Sequence, residues 1–331
     1  MGILTVKNAV RDKEIFGREN FVLGQADLHI AFSVNETFIY PLGVFLTSIL
    51  ENNKNQQLEI HVFVNSISEQ NHVLLKELSC QYKVVIALYY INDEIFRGLN
   101  TIQFTIAAYY RFLIPAALQG FVDKFLYLDA DMVCINSLER LKSIAFENKV
   151  ACVVEDHKVS KETEPHLNLD GTAYFNTGMM YIDVEKWIGM RVSEKCLELL
   201  QTRSFEFRCF DQDALNIILE HHLKYVDSTW NFMCNLGERK FEQVKVVPRD
   251  TIIIHYIGFN KPWHLWCFHP LASIFRKYKE ISLWKDIPLD AVPHKYREMK
   301  MLARYYWQKR RYYESVCWLL RYGRTKYAEK F

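Results

Sequence analysis

The sequence predicts an α/β fold built on a doubly wound, mostly parallel sheet. Short apolar segments of strand length alternate with longer segments whose apolar residues recur at helical spacing. This alternation is typical of a parallel sheet with helical crossovers. The segment Phe125–Leu128 is apolar throughout and runs directly into Asp129 and Asp131. Because ionised carboxylates resist burial, their position indicates that this strand ends at a ligand-binding crevice.

The predicted elements cover most of the chain. The predicted strands are Leu28–Val34, Leu58–Val64, Lys83–Ile91, Phe125–Leu128, Val150–Glu155, Phe175–Val184 and Thr251–Tyr256. The predicted helices are Phe38–Leu50, Ser68–Ser79, Thr105–Leu118, Val192–Gln201 and Ala214–His222. Ser68 is the predicted cap of the second helix, and residues 35–37 form a turn or helix-cap signal before the first. The third helix is expected to break or end near Pro115. No internal repeat or low-complexity linker interrupts the series, so we predict one domain over residues 28–284. Residues 1–27 show no clear periodicity of apolar residues and are assigned to an N-terminal appendage. Residues 285–331 are assigned to a C-terminal appendage.

Composition indicates a globular protein and argues against secretion. Half of the 331 residues are apolar and 15% are aromatic, which is enough for a substantial core. The longest uncharged apolar run near a strand, Val84–Ile91, is far shorter than a membrane span, and the first residues lack the apolar core of a signal peptide. The eight cysteines contain no Cys-x-x-Cys pair, so neither a zinc site nor a disulfide framework is expected. We therefore expect a cytoplasmic protein.

Positive charge is concentrated at the carboxyl end of the chain. Residues 295–331 contain eleven Lys or Arg and three Glu, a net charge of +8, so the rest of the chain carries −6 of the total of +2. Basic and aromatic residues alternate there at helical spacing, as in helices that lie on an anionic membrane surface. The alternative is a helical hairpin that packs on the main domain. Nucleic-acid binding has no supporting motif.

Three side chains at strand ends are candidates to share one divalent cation. Asp129 and Asp131 offer two carboxylates to a hard cation such as Mg²⁺ or Mn²⁺, with positions left for phosphate oxygens. His255 ends another apolar strand, and an imidazole beside two carboxylates favours Mn²⁺ over Mg²⁺. The alternative interpretation is a pair of solvated acids in a turn and a histidine satisfied within the core.

Further candidates are weak when each is considered alone. Asp211 and Gln212 lie between an aromatic residue and a helix, although acids in the first turn of a helix need no functional explanation. Arg111, in an apolar helix, is equally compatible with a surface residue whose stem is buried. Gly258 permits close backbone approach, and Lys261 offers a positive charge to a phosphate.

A phosphatase of the haloacid-dehalogenase type is the competing interpretation of Asp-x-Asp after an apolar strand. That chemistry also requires a downstream Gly-Asp-x-x-x-Asp motif, which the sequence lacks. A P-loop and a Gly-x-Gly-x-x-Gly motif are lacking as well, in a chain with only 12 glycines. These observations disfavour phosphatase and dinucleotide-binding chemistry.

Taken together, four motifs resemble those of glycosyltransferase family 8, whose members are retaining enzymes that use nucleotide sugars. The motifs are Tyr127–Asp131, Phe175–Gly178, Asp211–Asn216 and His255–His264, and the likeness extends from about Leu28 to Trp284. Each is weak singly, but four in the right order are specific. The sequence is most similar to the bacterial lipopolysaccharide core galactosyl- and glucosyltransferase subgroup, in which Tyr109–Phe112 and the Lys-Pro-Trp-His segment are similarly placed.

This resemblance implies a single Rossmann-like, nucleotide-sugar-binding domain of the GT-A type. Its sheet would be mixed and mostly parallel, and the C-terminal appendage would be basic, aromatic and helical. Asp129, Asp131 and His255 would hold Mn²⁺, with Mg²⁺ as the alternative, against the UDP diphosphate. The residues implied to contact the UDP-sugar are Ser33, Asn35, Phe38, Arg111, Asp129, Asp131, Gly258 and Lys261. Asn35 stands where an Asp is common in the family, although an amide can also pair with uracil.

The resemblance also implies which residues surround the donor sugar and the acceptor. They are Arg111, Asp156, Asn176, Asp211 and Gln212, of which Asn176, Asp211 and Gln212 are the candidate catalytic residues. Retention by double displacement needs a nucleophile beneath the anomeric carbon. The residue placed there resembles Gln212, and an amide is a poor nucleophile. We therefore expect front-face substitution, in which the departing phosphate takes the acceptor proton and Gln212 stabilises an oxocarbenium-like centre.

The sequence thus favours a retaining, metal-dependent hexosyltransferase that moves glucose or galactose from a UDP-sugar to the lipopolysaccharide core oligosaccharide, forming an α linkage. It would work at the cytoplasmic face of the inner membrane, held to the anionic surface by its C-terminal region. The alternatives are a glycosyltransferase of the same family that acts on another glycan, and a catalytically silent, membrane-associated binding protein on this scaffold. The choice between glucose and galactose depends on one hydroxyl, which motif spacing does not determine.

Overall fold

The structure of the protein is a computed structural model. It describes residues 6–17, 22–100, 105–157, 167, 169–170, 173–203, 206–237, 246–293 and 295–328. The chain divides into two compact units, of which the first comprises Met1–Phe232 and Val247–His255, and the second Met233–Val246 and Tyr256–Phe331. This division differs from the predicted domain limits after residues 27 and 284.

Within the described residues there are eleven strands and nine α-helices. The strands are β1 Val10–Phe16, β2 Leu28–Ser33, β3 Leu58–Val64, β4 Val85–Ile91, β5 Lys124–Leu128, β6 Met132–Cys134, β7 Ala151–Glu155, β8 Phe175–Asp183, β9 Leu223–Tyr225, β10 Phe232–Asn235 and β11 Ile253–Ile257. The α-helices are α1 Glu36–Asn52, α2 Glu69–Tyr82, α3 Ile114–Leu118, α4 Val184–Gly189, α5 Val192–Arg203, α6 Asp211–Ile218, α7 Ala272–Ile281, α8 Tyr296–Gln308 and α9 Tyr312–Ala328. All seven predicted strands therefore occur within a few residues of their predicted limits.

The first unit is built on an eight-stranded mixed sheet with the order β1-β4-β3-β2-β5-β8-β7-β9. Strands β4, β3, β2 and β5 are parallel, whereas β1 and β8 are antiparallel to their neighbours. The α/β fold with a mixed, mostly parallel sheet is thereby confirmed. Strand order reverses at β2, which has β3 on one side and β5 on the other. In open α/β sheets, ligands bind at the carboxyl ends of the strands beside such a reversal.

Local sequence signals explain the helices and strands around this reversal. Strand β3 is buried at every position, as expected of a central strand that is covered on both faces. The side chain of Asn35 accepts the N–H of Phe38 at the start of α1, and Ser68 accepts the N–H of Asn71 at the start of α2. The predicted cap Ser68 is therefore confirmed, and of the two possibilities for residues 35–37, a turn or a helix cap, the structure has the cap.

The amino-terminal region contributes an element that sequence analysis did not predict. Strand β1 forms one edge of the sheet and pairs antiparallel with β4, from Val10 opposite Ile91 to Phe16 opposite Ile86. The four consecutive charged residues Arg11 to Glu14 obscure this strand in the sequence. Charge is tolerated there because edge strands commonly present charged side chains to solvent.

The predicted helix Thr105–Leu118 is divided into two pieces, as the expected break near Pro115 anticipated. Residues Ile106–Phe112 form a 3-10 helix, and α3 begins after them with Pro115 in its first turn. Proline lacks the N–H that a continuous helix would need at this point, and it is well tolerated in the first turn of a helix. The 3-10 segment carries Arg111, which is 7% exposed, so the interpretation of Arg111 as a surface residue is wrong.

The second unit contains α7 and a hairpin of the two helices α8 and α9. Trp307 contacts Tyr312 beside the turn, and Tyr296 contacts Tyr322 near the far end. Ser315 Oγ donates to the carbonyl of Ala303 at 2.8 Å in the middle of the pair. Among the residues described, no helix combines the length and the apolar character needed to cross a bilayer.

Candidate active site

The three residues predicted to share a cation converge at the carboxyl edge of the sheet. Asp129 follows β5, Asp131 precedes β6, and His255 lies in β11, where it pairs with Met132 of β6. One ligand atom from each of the three lies within 4.8 Å of those from the other two. His255 Nε2 and Asp131 Oδ1 are 3.2 Å apart. The convergence expected from the sequence is therefore present.

Two amides fix the imidazole of His255. Asn231 Nδ2 donates to Asn176 Oδ1 at 2.9 Å, which leaves Asn231 Oδ1 facing His255 Nδ1 at 3.0 Å. This network assigns the Nδ1–H tautomer, because an amide oxygen can only accept. The lone pair of Nε2 then points toward Asp131. Metal-binding histidines are typically oriented by such a second hydrogen bond.

This arrangement fits a divalent cation. In the Nδ1–H tautomer, His255 Nε2 and Asp131 Oδ1 are two acceptors that face each other at 3.2 Å. Either a proton or a cation between them removes the repulsion. The side chains of Asp129 and Asp131 are 28% and 14% exposed, so a bound ion would keep positions for oxygen ligands from solvent or substrate. Two carboxylates and one imidazole suit Mn²⁺ better than Mg²⁺.

Gly178 provides the space that the ring of His255 occupies. A Cβ at this position would lie 2.4 Å from His255 Cε1 and 2.9 Å from Asn176 Oδ1. Because the interior is close-packed, a larger residue would have to displace the imidazole. The backbone of Gly178 also accepts the N–H of Asp129 at 2.8 Å and donates to Asn176 Oδ1 at 3.1 Å. The Phe-Asn-Thr-Gly motif thus positions two of the three candidate ligands.

A guanidinium and a phenol hold the carboxylate of Asp129. Arg111 Nη2 and Tyr127 OH donate to Asp129 Oδ1 at 3.0 Å and 2.8 Å. Burial raises the pKa of Tyr127 well above its usual value, so this hydroxyl stays protonated and donates. Tyr127 OH in turn accepts from Ser33 Oγ at 2.8 Å. These donors fix the rotation of Asp129 and connect it to β2.

Arg111 also contacts a second buried carboxyl, that of Asp211. Arg111 Nε lies 3.3 Å from Asp211 Oδ2, and Nη1 donates to the carbonyl of Thr177 at 3.1 Å. Burial raises the pKa of Asp211 to about 6, against the opposing effect of Arg111 and with a smaller contribution from the charge of Asp129. The charge of Asp211 therefore changes close to neutral pH.

The raised pKa of Asp211 predicts a pH-dependent stability. Its folded-state pKa of about 6 exceeds the ordinary value of 3.8, so the stabilisation is fully present below pH 3.8 and is lost as the pH rises through about 6. The Asp211→Asn variant does not titrate there. Its free energy of unfolding relative to the wild type should rise by about 2 kcal/mol between about pH 4 and about pH 7, measured by urea denaturation in chelator.

The control for this experiment is Asp250→Asn, which changes a carboxylate in an exposed position. The pH dependence of the stability of Asp211→Asn relative to the wild type should exceed that of this control. A constant difference for Asp211→Asn would show that Asp211 has an ordinary pKa in the folded protein.

The side-chain amide of Gln212 is fixed by four hydrogen bonds. Its Oε1 accepts from Asn176 Nδ2, Thr177 N and Thr177 Oγ1 at 3.2, 3.1 and 3.3 Å. Its Nε2 donates to Tyr174 OH at 3.1 Å. An amide oxygen has two lone pairs, and three donors already engage them. The group is therefore rigidly oriented and poorly suited to nucleophilic attack.

Asp213, by contrast, has a structural role. It is fully buried, and its Oδ2 accepts two backbone N–H groups of the preceding turn at 2.7 Å and 2.8 Å. Its Oδ1 accepts the hydroxyl proton of Tyr174. An acid in the first turn also suits the positive end of the helix dipole. In the motif that begins α6, Asp213 therefore stabilises the helix. Asp211 instead faces Arg111, and Gln212 faces β8.

The remaining predicted residues of the first unit lie at the carboxyl ends of strands. Ser33 ends β2 and reaches Asp129 through Tyr127. Asn35 Oδ1 caps α1 by accepting from Phe38 N at 3.2 Å. Asp156 follows β7 and is 5% exposed, and its backbone N–H donates to the carbonyl of Tyr174 at 2.8 Å. Contacts of these residues with a nucleotide sugar stay predictions.

Gly258 and Lys261 belong to the second unit. Gly258 follows β11 with a φ of +80°, a left-handed conformation. Lys261 Nζ donates to the carbonyl of Tyr256 at 2.6 Å. Their assignment to the diphosphate also stays a prediction.

Asn231, Thr177 and Tyr174 lie in the candidate site and were missed by the sequence analysis. Asn231 orients the imidazole of His255, and the other two hold the amide of Gln212. Thr177 lies inside a recognised motif, which could have singled it out. Asn231 has no such signal, because it lies alone in a short turn before β10.

Comparison with known proteins agrees with these motifs. The family model described as glycosyl transferase family 8 matches residues 29–267. A second model, described as the C-terminal part of glycosyl transferase family 8, matches residues 269–326. Together the two matches span nearly the whole described chain, including the α8–α9 hairpin.

Two curated relatives match over most of their length. A lipopolysaccharide 1,2-glucosyltransferase of Escherichia coli is 31% identical over 310 residues, which cover 90% of this chain and 91% of the relative. A lipopolysaccharide 1,3-galactosyltransferase of Salmonella typhimurium is 30% identical over 310 residues, which cover 91% of this chain and 92% of the relative.

A solved structure shares the fold. The galactosyltransferase LgtC, in complex with donor and acceptor sugar analogues, superposes with a TM-score of 0.69 at 23% sequence identity. The match covers 82% of this chain and 99% of LgtC. The sheet of the first unit therefore has the GT-A arrangement that the sequence motifs implied.

Proposed function

Because the chain belongs to glycosyl transferase family 8, we propose that it is a retaining hexosyltransferase that moves glucose or galactose from a UDP-sugar to the lipopolysaccharide core oligosaccharide. The new linkage would be α. The two relatives named as lipopolysaccharide glycosyltransferases support the acceptor class, because each is matched over about nine tenths of its length. The convergence of Asp129, Asp131 and His255 is the observation that carries the proposal.

In this proposal, Asp129, Asp131 and His255 hold a divalent ion, with Mn²⁺ preferred by the donor set. When bound, the ion supplies the positive charge that stabilises the diphosphate of UDP as it departs. Arg111 orients Asp129 by its 3.0 Å hydrogen bond. Asn231 orients the ring of His255 by accepting a hydrogen bond from Nδ1, so that Nε2 faces the ion.

The nucleotide would lie beside the carboxyl end of β2. Ser33 ends that strand, and Asn35 and Phe38 follow it, in the order that the family resemblance implies for uridine contacts. Phe38 offers a ring for stacking. The oxygen of Asn35 caps α1, so its NH₂ group is the part suited to a uracil carbonyl. Gly258 and Lys261 are assigned to the diphosphate.

Retention is proposed to occur by front-face substitution. The acceptor hydroxyl attacks from the side on which UDP leaves, and its proton passes to the departing phosphate. The family resemblance assigns Gln212 to the reacting carbon, and four hydrogen bonds immobilise its amide. Such a fixed dipole stabilises a developing oxocarbenium-like charge without forming a bond.

This mechanism predicts that no covalent glycosyl-enzyme accumulates. Incubation with a UDP-sugar in the absence of acceptor, followed by intact-mass spectrometry, should give only the unmodified mass. Asp213 is unsuited as a nucleophile because both its oxygens accept hydrogen bonds in a fully buried position. A hexose adduct located on Asp211 or Asp213 would replace front-face substitution by double displacement.

The α8–α9 hairpin is proposed to hold the enzyme on an anionic membrane surface. Several large apolar side chains on these helices are exposed, including Trp307 at 58%, Tyr313 at 81% and Leu320 at 63%. The surrounding segment has a net charge of +8 over residues 295–331. Aromatic side chains at headgroup level beside basic residues are the pattern of interfacial helices. Because a lipid-linked acceptor lies on the same surface, this binding would raise the frequency of encounter.

Membrane binding predicts that Tyr313→Ser combined with Leu320→Ser lowers the affinity for anionic vesicles by about tenfold, because less apolar area is buried at the interface. Vesicle flotation measures the effect, and vesicles of phosphatidylcholine alone should bind little wild-type protein. The matched control is Val246→Ser, since Val246 is 88% exposed but lies outside the two helices. If the wild type, the double variant and Val246→Ser floated equally with anionic vesicles, the proposal that these helices bind the membrane would be wrong.

The proposed function is tested directly with a panel of UDP-sugars and lipopolysaccharides truncated at successive core sugars. One UDP-hexose and one truncated acceptor should give a product of increased mass that an α-specific glycosidase reverses. UDP release without transfer to any core acceptor would favour another glycan. No UDP release with any donor would identify a catalytically silent binding protein.

A further inference from the structure

A second cluster of ligand-type side chains lies at the opposite end of the sheet from the candidate active site. His29 lies at the start of β2, and Glu59 and His61 lie near the start of β3. The parallel register places His29 beside Glu59, and alternate residues of a strand share a face. The three side chains therefore project from one face. Their exposures are 7%, 0% and 0%, so the cluster is part of the interior.

The three facing atoms form a nearly equilateral triangle. His61 Nε2 lies 3.2 Å from Glu59 Oε1, His29 Nδ1 lies 3.5 Å from the same oxygen, and the two nitrogens are 3.4 Å apart. A point about 2.0 Å from all three atoms exists within or just outside their plane, which matches Zn–N and Zn–O bond lengths. Tetrahedral coordination at that bond length separates ligand atoms by about 3.3 Å.

The same geometry is poor for hydrogen bonding alone. If both imidazoles donated to Glu59 Oε1, the two N–H bonds would approach that oxygen at an angle of only about 60° to each other. The two donors would then compete for one lone-pair direction of that oxygen, because the two nitrogens are only 3.4 Å apart. A cation between the three atoms avoids this competition and supplies the positive charge that a buried carboxylate needs.

Neighbouring groups already orient two of the three ligands. Tyr89 OH lies 3.1 Å from His61 Nδ1, and in the tautomer whose Nδ1–H donates to this oxygen the lone pair of Nε2 faces the other two ligands. Gly24 N donates to Glu59 Oε2 at 3.0 Å. Gly24 has a φ of +90°, and a Cβ there would lie 2.2 Å from the carbonyl oxygen of Phe121, so this N–H reaches Glu59 only because the residue is glycine.

We propose that His29 Nδ1, His61 Nε2 and Glu59 Oε1 form a second divalent-metal site that takes Zn²⁺, with water as the fourth ligand. Two imidazoles and one carboxylate are a donor set typical of four-coordinate zinc. The cysteine spacing that argued against zinc has no bearing on a site made of imidazole and carboxylate groups. The site joins β2 to β3 at their amino ends, so its role is to stabilise the sheet, and it does not depend on the proposed sugar transfer.

The test uses Co²⁺ as a spectroscopic substitute for zinc in the Asp131→Asn protein, which lacks one ligand of the first site. We expect one equivalent of Co²⁺ with the visible absorption of four-coordinate cobalt, displaced by one equivalent of Zn²⁺. No thiolate-to-cobalt band should appear, because no cysteine takes part. Zinc should also raise the melting temperature of this protein as its free concentration increases.

Adding Glu59→Gln to the Asp131→Asn protein should abolish the four-coordinate spectrum and weaken zinc binding by about 10²-fold. Adding His157→Ala, which removes an exposed imidazole next to Glu155, should change neither. A spectrum that persists in the Glu59→Gln protein would overturn the proposal. So would the absence of four-coordinate cobalt and of a zinc-dependent melting shift in the Asp131→Asn protein, a result that does not require the Glu59 variant to fold.

Discussion

Replacing Asp131 with asparagine should lower sugar transfer by about 10³-fold, because it removes a charged metal ligand and with it the stabilisation of the departing diphosphate. Asparagine keeps the shape of the side chain, so the fold should survive. The asparagine NH₂ group or its neutral oxygen would then face His255 Nε2, which is 3.2 Å from Asp131 Oδ1 in the wild type. The measurement is the initial rate of UDP release and of product formation at saturating Mn²⁺.

Metal affinity provides the second readout for this variant. Manganese binding, followed by the electron paramagnetic resonance signal of free Mn²⁺, should weaken in Asp131→Asn in parallel with activity. Asp250→Asn serves as the matched control, since it makes the same chemical change in an exposed loop. If Asp131→Asn kept both activity and manganese affinity, these carboxylates would not hold the catalytic ion.

Replacing Gly178 with alanine should lower activity by about 10²-fold through displacement of the imidazole of His255. The added methyl group would lie 2.4 Å from His255 Cε1, in a site where neighbouring atoms are hydrogen-bonded and close-packed. The ring must then rotate or retreat, which breaks its 3.0 Å contact with Asn231. We expect weaker Mn²⁺ binding and a lower kcat, with the secondary structure retained.

Gly189→Ala is the control for this variant. A Cβ at Gly189, at the end of α4, would meet no atom within 4 Å, so the same methyl group should leave activity and metal affinity unchanged. If Gly178→Ala and Gly189→Ala behaved alike, steric support of His255 by Gly178 would be excluded.

The sequence predicted the features that depend on local chemistry. The caps Asn35 and Ser68 are visible because a side-chain oxygen at a helix start satisfies an adjacent N–H. The acidic pair Asp129 and Asp131 is visible because charge at the end of a buried strand has no packing explanation. The predicted strands were found because continuous apolar runs of strand length are also signals that a short stretch of sequence carries by itself.

Features created by tertiary structure were missed. Strand β1 carries four charged residues in succession and is a strand only because β4 offers an edge to pair with. Asn231 acquires its role from a ring that comes 24 residues later in the chain. His29, Glu59 and His61 form a cluster only through the register of two strands, which the spacing of residues in the sequence does not display.

The pairing of β11 with β6 has a consequence for the synthesis of the protein. The acidic pair is made early, but its histidine partner arrives about 120 residues later and is positioned only when β11 closes against β6. A nascent chain that has not yet emerged from the ribosome as far as β11 carries carboxylates without the imidazole. Under the proposed function, tight binding of a divalent cation would therefore require that the pairing of β11 with β6 be complete.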